Sequence, residues 1–375
     1  MSHFDVVVIG LGVMGSAALH RLALRGKRVL GIERFALGHD RGSSHGATRI
    51  IRLGYFEHPS YVPLVQRAYA LWRELERAAG RTLLHVTGIA EMGPPDGILV
   101  RGTRASAELH RLPHEVVTAA DLMRRLPMFR LPSHFVAVLQ GDGGFLEAEP
   151  AVHTLMAQAR RLGAEVHERE TVREIAPHAG GVRVVTDRGV VEADTAIVAV
   201  GPWVKTLLPD LPVRLRVTRQ VMGWFAPTEP ALFEPGRCPV FLIESRHGMH
   251  YGFPPFGGAG VKVAKHHHEE EIVDPGTNDR AVSSRDEALI RGAVAEHIPA
   301  ANGRLIDAKT CLYTMTPDGD FLIDRLPGLA QVIVASPCSG HGFKFAPAIG
   351  DILADLATTG STSHDISRFS LSRFA

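Results

Sequence analysis

Gly10, Gly12 and Gly15 stand in the spacing G-x-G-x-x-G, and Glu33 follows at the distance expected of a residue that accepts hydrogen bonds from a ribose. Each glycine has a separate physical reason: a tight turn, close backbone approach to a pyrophosphate, and close contact between helix and strand. The pyrophosphate would lie against a helix amino terminus, where free N–H groups and the dipole favour negative charge. Strand, glycine turn, helix and acid together point to dinucleotide binding, without separating NAD from FAD. A second feature is Cys311, in KTCLYTMTPDGDF at 309–321, one of three cysteines in 375 residues. Alone it reads as packing, because free cysteine commonly behaves as a small buried hydrophobe. The run HHHEEE at 266–271 invites a metal reading, but consecutive histidines cannot all face one ion, and no metal site is expected.

The elements that position these residues follow from apolar patterning. Residues 6–9 are a short β-branched run suited to a buried parallel strand. Ala17, Ala18, Leu22 and Leu24 then mark a helix that Gly26 ends, and residues 28–33 form a second strand with an acidic end. Leu64, Ala68, Leu71, Leu75 and Ala78 share one face of a helix over 60–79, and another helix is expected over 150–162, starting at Pro150. Residues 165–172 read as a strand, 182–191 as a hairpin and 196–200 as a buried strand. The Gly/Pro-rich stretch at 92–97 marks a loop or domain crossing. Residues 212–315 carry β-like runs among many glycines and prolines, and read as a mainly β substrate module. A strand over 331–336, the turn SGHG and a helix over 343–356 return the chain to α/β character.

A chain of 375 residues exceeds the size at which one core stops growing, so two domains are expected. The expected division gives the nucleotide-binding domain residues 1–84, 144–211 and 316–375, and the substrate domain 85–143 and 212–315. With 41 basic and 40 acidic side chains the net charge is +1, which favours neither nucleic acid nor an anionic membrane as partner. An odd number of cysteines gives no disulfide framework and suits a reducing compartment. The first apolar run leads directly into the glycine motif, leaving no room for a signal peptide, so a cytoplasmic location is expected.

The sequence resembles the monomeric sarcosine oxidase family, including N-methyltryptophan oxidase, which are FAD-dependent amine oxidases of the D-amino acid oxidase superfamily. The resemblance covers nearly the whole chain. It is carried by the amino-terminal glycine motif, GSSHGATRIIR at 42–52, YGFPPFGG at 251–258, VKVAKH at 261–266, CLYT at 311–314, PDGDFLID at 317–324 and SGHGFKF at 339–345. Ser44 and Ala47 stand where the family commonly has histidine and aspartate, and Pro337-Cys338 stand where it has glycine–phenylalanine.

The resemblance implies a Rossmann-like FAD-binding domain of the glutathione-reductase type with an inserted, mainly antiparallel-β substrate domain. It implies a covalent bond from Cys311 to the flavin, with Cys338 as the competing thiol. Arg52 and Lys344 would hold the substrate carboxylate, Lys262 would activate oxygen, and Tyr251, His266 and Tyr313 would line the substrate pocket. His45 and Arg49 would lie against the flavin and, with Lys262 and His266, form the expected catalytic set. Further FAD contacts are implied at Val13, Met14, Arg34, Gly42, Ser43, Ser44, Ile50 and Val172, and at Gly340, His341, Gly342, Phe343 and Lys344.

The implied reaction oxidises a secondary (N-methyl) amino acid such as sarcosine to an imine, which water hydrolyses to the amino acid and formaldehyde. Molecular oxygen becomes hydrogen peroxide, and the protein is expected to act as a monomer. Neighbouring cations disfavour an ammonium, so a pocket with Arg52, Lys262 and Lys344 would keep the bound amine neutral. The rival readings are a larger N-substituted or cyclic amino acid as substrate, an NAD-dependent dehydrogenase, a flavin dehydrogenase serving a carrier protein, and a non-catalytic flavoprotein.

Overall fold

The computed structural model describes residues 3–374. The strand His3–Ile9 lies inside an eight-stranded sheet, paired in parallel with Val29–Glu33 on one side and Val190–Val198 on the other. Its apolar run is buried on both faces, as a central parallel strand requires. Glu165–Glu168 extends the sheet beyond Val29–Glu33, and Leu329–Ser336 pairs in parallel with the end of Val190–Val198. The other part of Val190–Val198 continues as an antiparallel ribbon with Gly181–Thr186 and Val172–His178. The helices Val13–Leu24, Val62–Ala79, Ala148–Arg161 and Ala346–Thr359 contribute to one hydrophobic core against this sheet. The parallel strands end together, and a crevice outside their carboxyl ends is where ligands bind in open α/β sheets.

A second eight-stranded sheet runs in the order Leu305–Met315, Arg216–Phe225, Val261–Lys265, Gly248–Phe253, Val240–Ser245, Ile89–Gly93, Val136–Gln140 and Glu115–Thr118. Every pairing is antiparallel except that between Val240–Ser245 and Ile89–Gly93. Alternation divides this sheet into two faces. Val221, Phe225, Phe241 and Val263 enter a core with Ile290 and Val294 of the helix Ser284–His297. Met222, Ala264 and Cys311 lie on the opposite face, toward the first sheet's crevice. The architecture is the α/β arrangement expected, a Rossmann-like unit beside a mainly antiparallel sheet.

Several local expectations differ from the structure: the helix expected from Pro150 begins at Ala148, and the strand expected over 196–200 is the end of the longer Val190–Val198. The strand expected over 165–172 stops at Glu168, because Arg169 takes the left-handed conformation (φ 56°) and the chain turns there. Arg169 and Glu170 donate their N–H groups to Phe35 and Glu33, so this turn closes over the end of Val29–Glu33 and Val172 opens the next strand. The helix expected over 343–356 begins as a 3₁₀ turn, Phe343–Phe345, and becomes α-helical as Ala346–Thr359. Among the described residues no helix is long and apolar enough to cross a membrane.

Candidate active site

The glycine turn forms a backbone cradle at the end of His3–Ile9. Gly10 has φ 87°, and a Cβ there would lie 2.7 Å from the Ala199 carbonyl oxygen. A Cβ on Gly15 would lie 1.8 Å from the Gly10 oxygen, so this glycine sets the contact between helix and strand. Gly12 gives the helix no side-chain cap and its first turn holds no acid, which leaves N–H groups for an anion. Ser44, one of the departures from the family pattern, accepts from the Val13 N–H at 3.0 Å. Glu33 is buried and accepts from the N–H groups of Leu11 and Phe35 at 2.7 and 3.0 Å, so two backbone donors fix its orientation. These features fit the pyrophosphate and ribose of a dinucleotide.

From this cradle a cavity of about 500 Å³ reaches the second sheet. Gly10, Gly12, Val13, Met14, Glu33 and Arg34 line its nucleotide end. Gly42, Ser43, Ser44, Arg49, Ile50 and Val172 continue the wall, and Gly340, His341, Gly342, Phe343 and Lys344 line the far side. Arg52, Tyr251, His266, Cys311 and Tyr313 also face it. Three expected site residues are not on the wall: Gly15 is packed inside, and His45 and Lys262 are buried.

Cys311 lies on the cavity face of Leu305–Met315, with its sulfur 3.6 Å from Arg49 Nη2. The same guanidinium donates to the carbonyls of Ser43 and Thr48 at 2.8 and 2.9 Å, which fixes it beside the thiol. Cys338 also lines the cavity, but burial pushes its thiol up to about 11. Lys262 Nζ donates to the Gly46 and Thr48 carbonyls at 2.7 and 2.9 Å and lies 4.6 Å from the centre of the Phe253 ring. Burial, and then the Arg49 charge, push its ammonium well below the ordinary lysine value. His45 is buried with neither ring nitrogen hydrogen-bonded among the described residues, and burial followed by Arg49 lowers its pKa to about 4.

A polar network closes the other end. His341 Nε2 faces the Gly319 carbonyl at 3.1 Å and so carries the proton, leaving Nδ1 to accept from Tyr55 Oη at 2.7 Å. Lys344 Nζ donates to the His341 carbonyl at 2.8 Å and to Tyr55 Oη at 3.3 Å, and an ammonium has a third N–H to give. Burial, then the Arg52 charge, lower the Lys344 pKa to about 7. His266 Nδ1 lies 3.4 Å from Tyr313 Oη, and burial with His267 lowers its pKa to about 3. Gly340 is required here: its φ is 81°, and a Cβ would lie 2.6 Å from the Tyr313 ring.

Sequence reasoning missed two acids. Glu57 takes Arg52 Nη2 on both carboxylate oxygens, while Arg52 Nη1 donates to the Gly54 carbonyl at 2.7 Å. Glu91 is fully buried, 3.6 Å from Arg52 Nε, and burial raises its pKa to about 7 against the pull of Arg52. Burial alone would raise Glu57 too, but the Arg52 guanidinium, first among its neighbours, holds it down at about 2. Glu57 lies within the tract Tyr55–His58 that follows GSSHGATRIIR, and nearness to Arg52 was the one signal available. Phe35 and Trp203, with ring centres 5.4 Å apart at the nucleotide end, were also missed.

Comparison with known proteins agrees with this geometry. Residues 5–356 match the family model described as FAD dependent oxidoreductase. Monomeric sarcosine oxidase of Streptomyces avermitilis is 41% identical, over 99% of this chain and 98% of its own. N-methyl-L-tryptophan oxidase of Yersinia pestis is 36% identical, over 99% of both chains. Among solved structures, the open form of NikD, an amino acid oxidase essential for nikkomycin biosynthesis, superposes with a TM-score of 0.86 at 28% identity. That likeness covers 99% of this chain and 98% of NikD. A glycine cradle suited to a dinucleotide and a match across nearly the whole length lead to one conclusion: this chain is an FAD-dependent oxidoreductase and belongs to that family.

Proposed function

We propose that the protein is an amino acid oxidase whose substrate carries a carboxylate beside a secondary amine, with sarcosine and other N-methyl amino acids as the leading class. The observation that carries this reading is one cavity joining the glycine cradle to two cations, Arg52 and Lys344. FAD, held by the glycine cradle and Glu33, would supply a two-electron oxidation of the C–N bond with molecular oxygen as the acceptor, giving hydrogen peroxide.

The chain's own residues bind, orient and tune. The free N–H of Lys344 meets the substrate carboxylate, and Arg52 joins it by exchanging Glu57 for the incoming anion. Charge-assisted, two-point binding of this kind fixes the substrate's orientation as well as its affinity. His266 and His341 are held neutral, so they present no extra charge to the amine. Arg52 and a charged Lys344 disfavour an ammonium nearby, so the amine binds with its lone pair available. Tyr251 and Tyr313, both half-buried, shape the wall against which the N-substituent packs.

Cys311 is the covalent attachment point for the flavin, supported by its place on the cavity wall beside Arg49. Lys262 and His45 act from behind Gly46 and Thr48, with Lys262 supplying the positive charge that favours oxygen reduction. The FAD-binding domain comprises residues 1–84, 144–211 and 316–375, and the substrate domain 85–143 and 212–315. The strand membership of the two large sheets supports that division. A monomeric state and a cytoplasmic location complete the reading.

The test is a peroxide-release screen across N-substituted amino acids, with the visible spectrum recorded. Sarcosine or a close N-methyl relative is expected to release peroxide from a yellow protein. A yellow protein that consumes substrate only with an artificial electron acceptor would replace the oxidase by a dehydrogenase.

A further inference from the structure

The helix Ser284–His297 ends beside the tip of the hairpin that joins Val240–Ser245 to Gly248–Phe253. Three potential ligands meet there, none of them on the cavity wall: His247 from the hairpin, and Glu296 and His297 from the helix end. Their ligand atoms all lie within 4.8 Å of one another. His247 Nε2 is 2.8 Å from one Glu296 oxygen, and His297 Nε2 is 3.9 Å from the other.

His297 is the informative member. It is 1% exposed, and its Nδ1 lies 3.1 Å from the Arg130 carbonyl oxygen. A carbonyl only accepts, so Nδ1 carries the proton and the neutral ring presents a lone pair at Nε2. That nitrogen is buried and has no hydrogen-bond partner among the described residues. The Glu296 oxygen it faces is also an acceptor, and two acceptors facing each other without a donor are unfavourable. A cation between them removes the conflict.

We propose that His247, Glu296 and His297 form a binding site for one divalent transition-metal ion, best matched by Zn²⁺, outside the flavin cavity. Two imidazoles and one carboxylate are a borderline-soft set that zinc takes in tetrahedral form, with water in the fourth position. Bonds of the usual length place ligand atoms about 3.4 Å apart. His247 and Glu296 keep 27% and 30% side-chain exposure, so both can close on an ion without disturbing the core. The Arg130 carbonyl orients the His297 ring as outer partners of metal-bound histidines do. Arg246 Nη2 also contacts Glu296, at 2.5 Å, but it is 76% exposed and turns to solvent when the metal takes that oxygen. The ion would staple the hairpin tip to the helix end at the margin of the second sheet's core.

Isothermal titration of chelator-treated, flavin-loaded protein with ZnCl₂ tests the site. One Zn²⁺ per chain is expected, with a Kd on the order of micromolar, weakened at least about tenfold in His247→Ala and in Glu296→Gln. The flavin spectrum reports that each variant is folded. His267→Ala, in the run HHHEEE, is expected to bind as the parent does. Absence of stoichiometric binding, binding unchanged in either site variant, or binding lost in His267→Ala would each overturn the proposal.

Discussion

Arg52 donates through Nη2 to both carboxylate oxygens of Glu57, at 3.0 and 2.8 Å, so the guanidinium at the cavity already holds an anion. A substrate carboxylate must therefore displace Glu57 or share the cation with it. Hydrogen bonds to charged groups contribute on the order of 1.5–3 kcal/mol, and such an exchange raises KM by that cost less what the substrate returns. Glu57→Gln removes the competing charge. KM for an N-methyl amino acid is expected to fall about tenfold, the equivalent of 1.4 kcal/mol. A rise in KM in steady-state assays would mean that Glu57 orients Arg52 for binding and does not compete with the substrate.

Lys344 makes carboxylate binding depend on pH. Burial, then Arg52, lower its pKa from 10.5 to about 7 in the folded protein. Below that value the side chain is an ammonium that attracts a carboxylate, and above it the attraction is lost. A simple carboxylate without an amine isolates this titration from that of the substrate. Its inhibition constant is expected to be flat below about pH 7 and to rise up to tenfold per unit above it. In Lys344→Met the constant is weaker and loses this dependence. An inhibition constant constant to pH 9 in the parent protein would exclude Lys344 as the anchor.

Two thiols compete for the flavin. Cys311 lies 3.6 Å from the Arg49 guanidinium, while burial pushes the Cys338 thiol up to about 11. The thiolate is the nucleophile, so the burial that raises the Cys338 thiol disfavours attachment there. After acid precipitation, yellow colour is expected to stay with the pellet in the parent and in Cys338→Ser, and to pass into the supernatant in Cys311→Ser. Colour retained by the Cys311→Ser pellet would move the tether to another residue.

Much of the fold was legible because the signals are local. The β-branched run before Gly10, the glycine spacing and Glu33 each reflect short-range geometry, and all meet at the end of one strand. The second sheet was legible only as β texture, since its order interleaves strands from Ile89–Gly93 and Val240–Ser245 across a long stretch of chain. The acids around Arg52 show the same limit. In Ile89–Gly93, Glu91 is the one charged residue, and it is buried like the other four because the strand lies inside the sheet, paired with Val240–Ser245 and Val136–Gln140 and covered on both faces. The left-handed Arg169, which ends Glu165–Glu168, had no glycine or proline to announce it. Long-range pairing decided each of these cases, and a single sequence carries no record of it.

Lys262 sets the strongest test of the proposed oxygen chemistry, because its surroundings pull in two directions. Burial and the Arg49 charge push its pKa well down, while the Gly46 and Thr48 carbonyls and the faces of Phe253 and Trp224 favour a cation. A developing negative charge on oxygen would add to the second group. A unit charge about 4 Å away contributes on the order of 4 kcal/mol at an effective dielectric near 20, or about a thousandfold in rate. Lys262→Met keeps the volume and removes the charge. Stopped-flow measurement is expected to find reoxidation by oxygen slowed by two to three orders of magnitude, with reduction by substrate changed much less. Equal slowing of both half-reactions would assign Lys262 to the architecture of the Gly46–Thr48 turn, since a displaced turn would disturb substrate and oxygen alike.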